Sequence, residues 1–177
     1  MKFASDDVDI TPQFEVTTLC GRFIIDFVLT TSDGNRVGIE CDGREFHDES
    51  RDEWRDAMIL GEGHVDAIYR LRGSDITYYM EDILYLMAVL EPRLFSSRAT
   101  KNLEVLASSE IQELPKSHCE DLYHFKYRNE AGLGFFRVET RRRAVPTGQR
   151  RFWQSAYRFA QSIGGGTLDD VMEKYRA

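Results

Sequence analysis

Four residues between Arg22 and Asp56 have the types and spacing to do chemistry: Asp26, Glu40, Asp42 and His47. Asp26 stands alone inside an apolar run, with Phe23-Ile24-Ile25 before it and Phe27-Val28-Leu29 after it. A carboxylate in such a run is costly to bury unless something pairs with it. It is either a strand residue that faces solvent or bonds a neighbour, or a metal ligand. Glu40 and Asp42 emerge from a second apolar run, Val37-Gly38-Ile39. On a strand they share one face, and Cys41 takes the other. Two or three hard oxygens at a strand end, with water in the remaining positions, suit Mg²⁺ or Mn²⁺ better than Zn²⁺. Histidine ordinarily changes charge near neutral pH, so His47 can shuttle a proton, or it is a surface residue bonded to Asp48 or Glu49.

The elements that must position these residues follow from local signals. Phe14, Val16 and Thr18 alternate as a first strand, Arg22 to Leu29 form a second and Val37 to Cys41 a third, with Ser32-Asp33-Gly34-Asn35 as the turn between the last two. In an antiparallel hairpin the loop length sets which residues face each other. A two-residue Asp33-Gly34 loop would set Asp26 opposite Cys41, so cooperation between Asp26 and Glu40 requires an odd-membered loop or a bulge. The odd-membered loop is the expectation.

Glu49 to Gly61 reads as an amphipathic helix through Trp54, Ala57 and Met58, with Ser50 as cap candidate and Gly61 or Gly63 as the stop. Arg51, Asp52, Arg55 and Asp56 lie one turn apart on it. Ordinary i,i+4 pairing accounts for them; phosphate contact or ordering of the Asp26–Glu40 region is the alternative. Val65 to Leu71 reads as a fourth strand and Asp75 to Leu90 as one apolar helix that Pro92 stops.

Beyond Pro92 a polar connector is expected over 95–100, then an ambiguous short element from Asn102 to Ala107. A hairpin follows, Leu122 to Tyr127 returning as Leu133 to Glu139. Gln149 to Ser162 reads as a helix whose Phe152, Trp153, Tyr157 and Phe159 pack in a core or stack on bases. Gly164-Gly165-Gly166 reads as a hinge, since no Lys-Ser/Thr follows for a phosphate loop. A last helix is capped by Thr167. Residues 1–9 hold too little apolar material for a packed element and are expected to form a tail or one short turn.

Composition bounds the rest. The chain has 177 residues, 42% hydrophobic and 30% charged, which is ordinary for a globular protein with a real core. No apolar run approaches the roughly 18 residues of a membrane span, and an acidic start is unlike a signal peptide. A cytoplasmic protein with no membrane partner is therefore expected, with Cys20, Cys41 and Cys119 as reduced thiols. His64, His118 and His124 have no partner at ligand spacing and read as structural. The net charge of −7 is uneven: residues 1–90 carry 8 Lys and Arg against 19 Asp and Glu, and residues 91–177 carry 15 against 11. The cations Arg141, Arg142, Arg143, Arg150, Arg151 and Arg158 gather in the second half, where they would grip a phosphate backbone or form a solvated face.

Pro12-Gln13, Asp26-Phe27, Glu40-Cys41-Asp42-Gly43 with His47, and Arg51-Asp52 with Arg55-Asp56 occur in that order. This spaced combination resembles the PD-(D/E)XK nuclease superfamily, and within it the very-short-patch mismatch-repair endonucleases and their relatives, over residues 10 to 90. The resemblance implies an α/β fold with a restriction-endonuclease-like mixed-sheet core flanked by helices, over 1–92; from their own pattern, residues 93–177 are expected to form a basic C-terminal extension of a β-hairpin and helices packed on that core. It also implies a DNA endonuclease dependent on Mg²⁺ (or Mn²⁺), held by Asp26, Glu40 and the Cys41 carbonyl, with His47 as acid and base; Asp42 is expected to position water or a second ion. Asp42 departs from the superfamily pattern, which has lysine there. The alternative is a catalytically inactive module of the same fold that binds nucleic acid or a partner protein. A homodimer, or a partner protein of a larger system, stays open as an assembly.

Overall fold

The computed structural model describes residues 8–43, 48–113, 122–129 and 132–177, with side chains for all of these except 122–134. His47, His118 and Cys119 fall outside the described residues, as does the side chain of His124.

Three strands run antiparallel in sequence order, β1 (Val8–Thr18), β2 (Gly21–Thr31) and β3 (Arg36–Asp42). Helix α1 (Glu49–Glu62) then crosses the sheet, and β4 (Ala67–Arg72) returns parallel to β3. On the far side, α2 (Gly73–Tyr78), α3 (Met80–Leu90), α4 (Ser97–Leu106) and the short α5 (Ser109–Gln112) follow one another. The hairpin β5 (Leu122–Asn129) and β6 (Gly132–Arg142) rejoins the sheet, and α6 (Phe152–Ser162) and α7 (Leu168–Arg176) close the chain. The strand order is β1-β2-β3-β4-β6-β5, a mixed α/β sheet flanked by helices. No helix among the described residues is long and apolar enough to cross a membrane.

Two apolar layers sandwich the sheet. On one face Val37, Ile39, Ala67, Tyr69, Leu71, Phe136 and Val138 pack against α3 and α4. On the other, Val16, Ile25, Val28 and Ile68 meet Ile59 and Leu60 of α1, whose outer side buries Trp54, Ala57 and Met58 against Ala156, Ala160 and Val171 of α6 and α7. Gly61 is needed for this docking: a Cβ there would lie 2.2 Å from the Tyr157 ring. β4 is buried at every residue from Ala67 to Leu71, as expected of a central strand covered on both faces.

Several expectations need correction. β1 starts at Val8, inside the stretch read as a tail, because its backbone pairs with the end of β2 (Val8 with Thr31) and needs little apolar content of its own. Asp48, not Ser50, caps α1, accepting from the Ser50 and Arg51 N–H groups at 3.1 and 3.2 Å, and Gly63 ends the helix in the left-handed conformation. The single helix expected over Asp75–Leu90 breaks at Tyr79 (φ −132°), where the Tyr79 ring stacks on Phe136 while the Asp75 carboxylate accepts from the Arg137 N–H at 2.9 Å.

The expected connector and ambiguous element are together α4, capped by Ser96 and buried through Ala99 and Leu103. α6 begins at Phe152 rather than Gln149. The Gly164-Gly165-Gly166 segment is a packed turn: the Gly166 N–H donates to the Leu19 carbonyl, and a Cβ on Gly165 would stand 2.4 Å from that oxygen. The boundary expected after residue 92 does not divide the sheet, since β6 lies directly beside β4. Residues 93–177 therefore complete the core as well as packing on it.

Candidate active site

The β2–β3 loop has the odd membership that cooperation between Asp26 and Glu40 requires. The Thr31 N–H donates to Asn35 O at 3.0 Å and the Gly34 N–H to Thr31 O at 2.9 Å, leaving Ser32, Asp33 and Gly34 as the loop. Gly34 takes φ +84°, the left-handed position of a three-residue hairpin. The ladder ends with Phe27 paired to Ile39, and Asp26 and Glu40 follow just beyond that pair, near enough for the Asp26 charge to act on the Glu40 carboxyl.

Regular pairing stops there for a reason. Val8 and Leu29 pack on the α3 side of the sheet, whereas Phe14, Val16 and Ile25 pack under α1. Both β1 and β2 thus change the face they bury between those positions, at Gln13 and Asp26. Gln13 has φ +49°, a strained conformation for a residue other than glycine. Its Nε2 is 3.5 Å from Asp26 Oδ1. Asp26 Oδ2 accepts the Cys41 N–H at 2.8 Å, so the carboxylate stands in for a missing ladder bond. The lone Asp of the apolar run is explained by this switch of face.

Glu40 is 4% exposed. Its Oε1 is 2.6 Å from Arg55 Nη2 of α1, and Arg55 also donates to the Ile24 carbonyl. Burial pushes the Glu40 carboxyl up to about 7; Arg55 and Arg70 oppose this, and Asp56 and Asp26 add to it. Burial thus outweighs both guanidiniums and favours the protonated carboxyl.

Beside it lies a residue that sequence reasoning passed over. Arg70 faces Glu40 on β3 and Glu139 on β6, a cross-strand row of acid, base and acid beneath α1. Arg70 Nε and Nη2 bind Asp56 Oδ2 and Oδ1 at 2.9 and 3.0 Å, and Nη1 reaches Asp42 at 3.1 Å and Asp52 at 3.3 Å. Burial alone would lower its affinity for its proton, but the charge and hydrogen bonds of Asp56, with Asp52 and Asp42, outweigh that and raise it. The signal was present: Arg70 interrupts an apolar strand just as Asp26 does, and the same desolvation rule demands a partner.

The repeated Arg-Asp pairs of α1 do not bond along the helix. Asp52 and Asp56 go to Arg70, Arg55 to Glu40 and Arg51 to Asp169 of α7 at 3.1 Å. Three of the four order the site, and the i,i+4 explanation is set aside. A cleft of about 130 Å³ opens at the strand ends, lined by Asp42, Asp52, Arg70, Arg72, Arg137 and Arg141.

The cations expected to grip phosphate divide into two groups. Arg141 binds Asp56 at 2.7 Å and Glu139 at 3.2 Å, Arg142 binds Glu91 at 3.0 Å and the Tyr69 hydroxyl, and Arg143 binds Asp66 at 3.4 Å. Arg150 and Arg158 are exposed, and Arg151 is half-buried at a neighbouring hollow with Phe152 and Trp153. His64 Nε2 lies 2.8 Å from the Thr17 carbonyl, a structural contact.

Among the described residues no three or more of His, Cys, Asp and Glu gather as a metal-binding group. A divalent cation here would rest on Asp26, Glu40, the Cys41 carbonyl and water. Hard oxygen donors of this kind are of the type that Mg²⁺ or Mn²⁺ takes. No protein-family model, curated protein or solved structure matches the chain.

Proposed function

We propose that the chain is a metal-dependent endonuclease of the restriction-endonuclease-like fold that hydrolyses DNA phosphodiester bonds. The observation that carries this reading is that Asp26 and a buried Glu40 come together on adjacent strands just beyond the Phe27–Ile39 pair, where the ladder opens. The element order supports it: three antiparallel strands, a crossing helix, and a strand parallel to the third. Mg²⁺ or Mn²⁺ held by Asp26, Glu40 and the Cys41 carbonyl would supply phosphate charge neutralisation and acidify a water.

The chain's own groups do the rest. Gln13 and the Cys41 N–H hold Asp26 in place. Arg70, clamped by Asp56, holds Asp42 beside the cleft, where that carboxylate can orient water. His47 is assigned the proton transfer that the resemblance implies. Exposed Arg150 and Arg158, with Arg151 at the hollow, offer charge to a phosphate backbone.

One observation favours a second reading, a non-catalytic module of the same fold. Asp42 replaces the superfamily's lysine, and both acids of the Asp42–Glu40 pair are already bound to arginine. The test is cleavage of labelled linear, nicked, mismatched and single-stranded DNA with Mg²⁺ or Mn²⁺, comparing wild type with Asp26→Ala and Glu40→Ala. Cleavage lost in both variants is the expected result. DNA binding without cleavage in all three proteins would replace the nuclease with the module.

A further inference from the structure

Three hollows adjoin across the ends of β3 and β4 and the face of β6. The cleft at the strand ends shares Asp42, Gly43 and Arg72 with a hollow of about 590 Å³ beside α2, and Arg137, Glu139 and Arg141 with one of about 170 Å³ at the start of α6. Together they form one trough with a guanidinium at each junction and an aromatic group at each outer end. Tyr78, 77% exposed, lines one end, and Phe152 and Trp153 line the other. Trp153 is fixed by its Nε1–H, which donates to the Arg142 carbonyl at 3.0 Å.

The junction residues Arg72 and Arg137 differ from the other arginines of the trough. Arg70 and Arg141 are largely buried, and both bind Asp56. The Arg72 side chain is 47% exposed; among the described residues it bonds Asp75 alone, through Nε and Nη2, and Nη1 has no partner there. The Arg137 side chain is 37% exposed; its Nη2 meets Glu139, Glu49 stands 3.9 Å away, and its Nε is buried with no hydrogen-bond partner. Asp75 Oδ2 accepts both the Arg72 Nε–H and the Arg137 backbone N–H, which sets the two residues side by side. A buried donor is costly to leave unmatched, and an oxyanion is the acceptor that a guanidinium binds best.

We propose that this trough binds a single strand of nucleic acid, with backbone phosphates on Arg72 and Arg137 and unstacked bases against Tyr78 and Trp153. Side chains stack on bases that have left a duplex, so the strand is single. The lining holds five carboxylates against five guanidiniums, which leaves no broad positive field. Binding therefore rests on these few contacts and depends weakly on salt: two phosphate contacts on a single strand give a slope of about −1.4 in log affinity against log salt. The same balance of charge rejects polyanions that carry no bases. The proposal goes beyond the nuclease reading, because it concerns binding with no metal ion and no cleavage.

The experiment follows the fluorescence anisotropy of a labelled oligothymidylate of about 12 nucleotides with wild type, Arg137→Gln, Tyr78→Ala and Glu49→Gln. It is run in EDTA over a range of salt, with duplex DNA and polyglutamate as competitors. R137Q should bind about tenfold more weakly and flatten the salt slope by about 0.7. Y78A should lose about fivefold or more. E49Q, which removes the exposed carboxylate beside Arg137, should bind about two- to fivefold more tightly.

A wild type that does not bind would overturn the proposal, as would duplex or polyglutamate competing as well as the single strand. So would an R137Q slope equal to that of wild type, or an E49Q that binds more weakly. If R137Q does not fold, Y78A decides, since its ring lies in solvent, and a Y78A affinity equal to wild type overturns the proposal too. Because no metal is present, a chain that never cleaves DNA still supports the trough by binding the single strand, and one that cleaves but fails these tests loses the trough alone.

Discussion

Arg70 meets Asp56 edge-on, Nε 2.9 Å from Oδ2 and Nη2 3.0 Å from Oδ1, with the Asp56 side chain wholly out of water. Asp56 also receives Arg141 at 2.7 Å, so one carboxylate joins α1 to both β4 and β6. Asp56→Ala should therefore cost about 3 to 5 kcal/mol, because it strands buried positive charge. Asp56→Leu combined with Arg70→Met should recover most of that loss. Urea unfolding of the two variants checks this, and a double variant as unstable as D56A would show that the loss does not come from stranded charge.

Gly61 and Tyr157 form a second junction, between α1 and α6. Gly61→Ala drives a methyl into the Tyr157 ring and should cost about 1 to 3 kcal/mol. In a Tyr157→Ala background the same change should become neutral or stabilising, since alanine is the better helix former by about 1 kcal/mol. A double-mutant cycle measures this coupling, and additive effects would contradict the close approach.

Asp48 caps the helix that delivers Arg55, Asp52 and Asp56. Asp48→Ala should cost about 1 kcal/mol, and Asp48→Ser should retain most of the stability, because a hydroxyl oxygen can accept the same N–H groups. The urea midpoints of the two variants give the answer; equal midpoints would argue against a side-chain cap.

Glu91 gives a pH dependence with a definite sign. Burial raises its carboxyl above the ordinary 4.5, although Arg142 and the Tyr69 hydroxyl oppose the shift. The folded protein therefore holds this proton more tightly than the unfolded chain. The stability from that excess proton is fully present below the ordinary value and is lost as pH rises through the raised one. Relative to Glu91→Gln, wild type should lose stability as pH rises above the ordinary 4.5 towards neutrality. Chemical denaturation across that range is the measurement, and parallel profiles would exclude the shift.

What the sequence determined by itself was local. Alternation and turn residues marked β1 to β4, because side-chain direction along a strand and the loop chemistry at Ser32-Asp33-Gly34 depend only on neighbouring residues. An isolated Asp26 in an apolar run already demanded a partner, and the spacing of Glu40 and Asp42 placed them at a strand end. Tertiary structure decided which charge met which. Arg51, Asp52, Arg55 and Asp56 could have paired along their own helix, but Glu40 and Arg70 are buried beneath it, and charges removed from water bind more strongly than exposed i,i+4 pairs. The same competition took Arg141, Arg142 and Arg143 into contact with Asp56, Glu91 and Asp66. It also set β6 beside β4, because pairing between strands far apart in the chain depends on which edge remains open once the rest of the sheet is formed, and no local pattern records that.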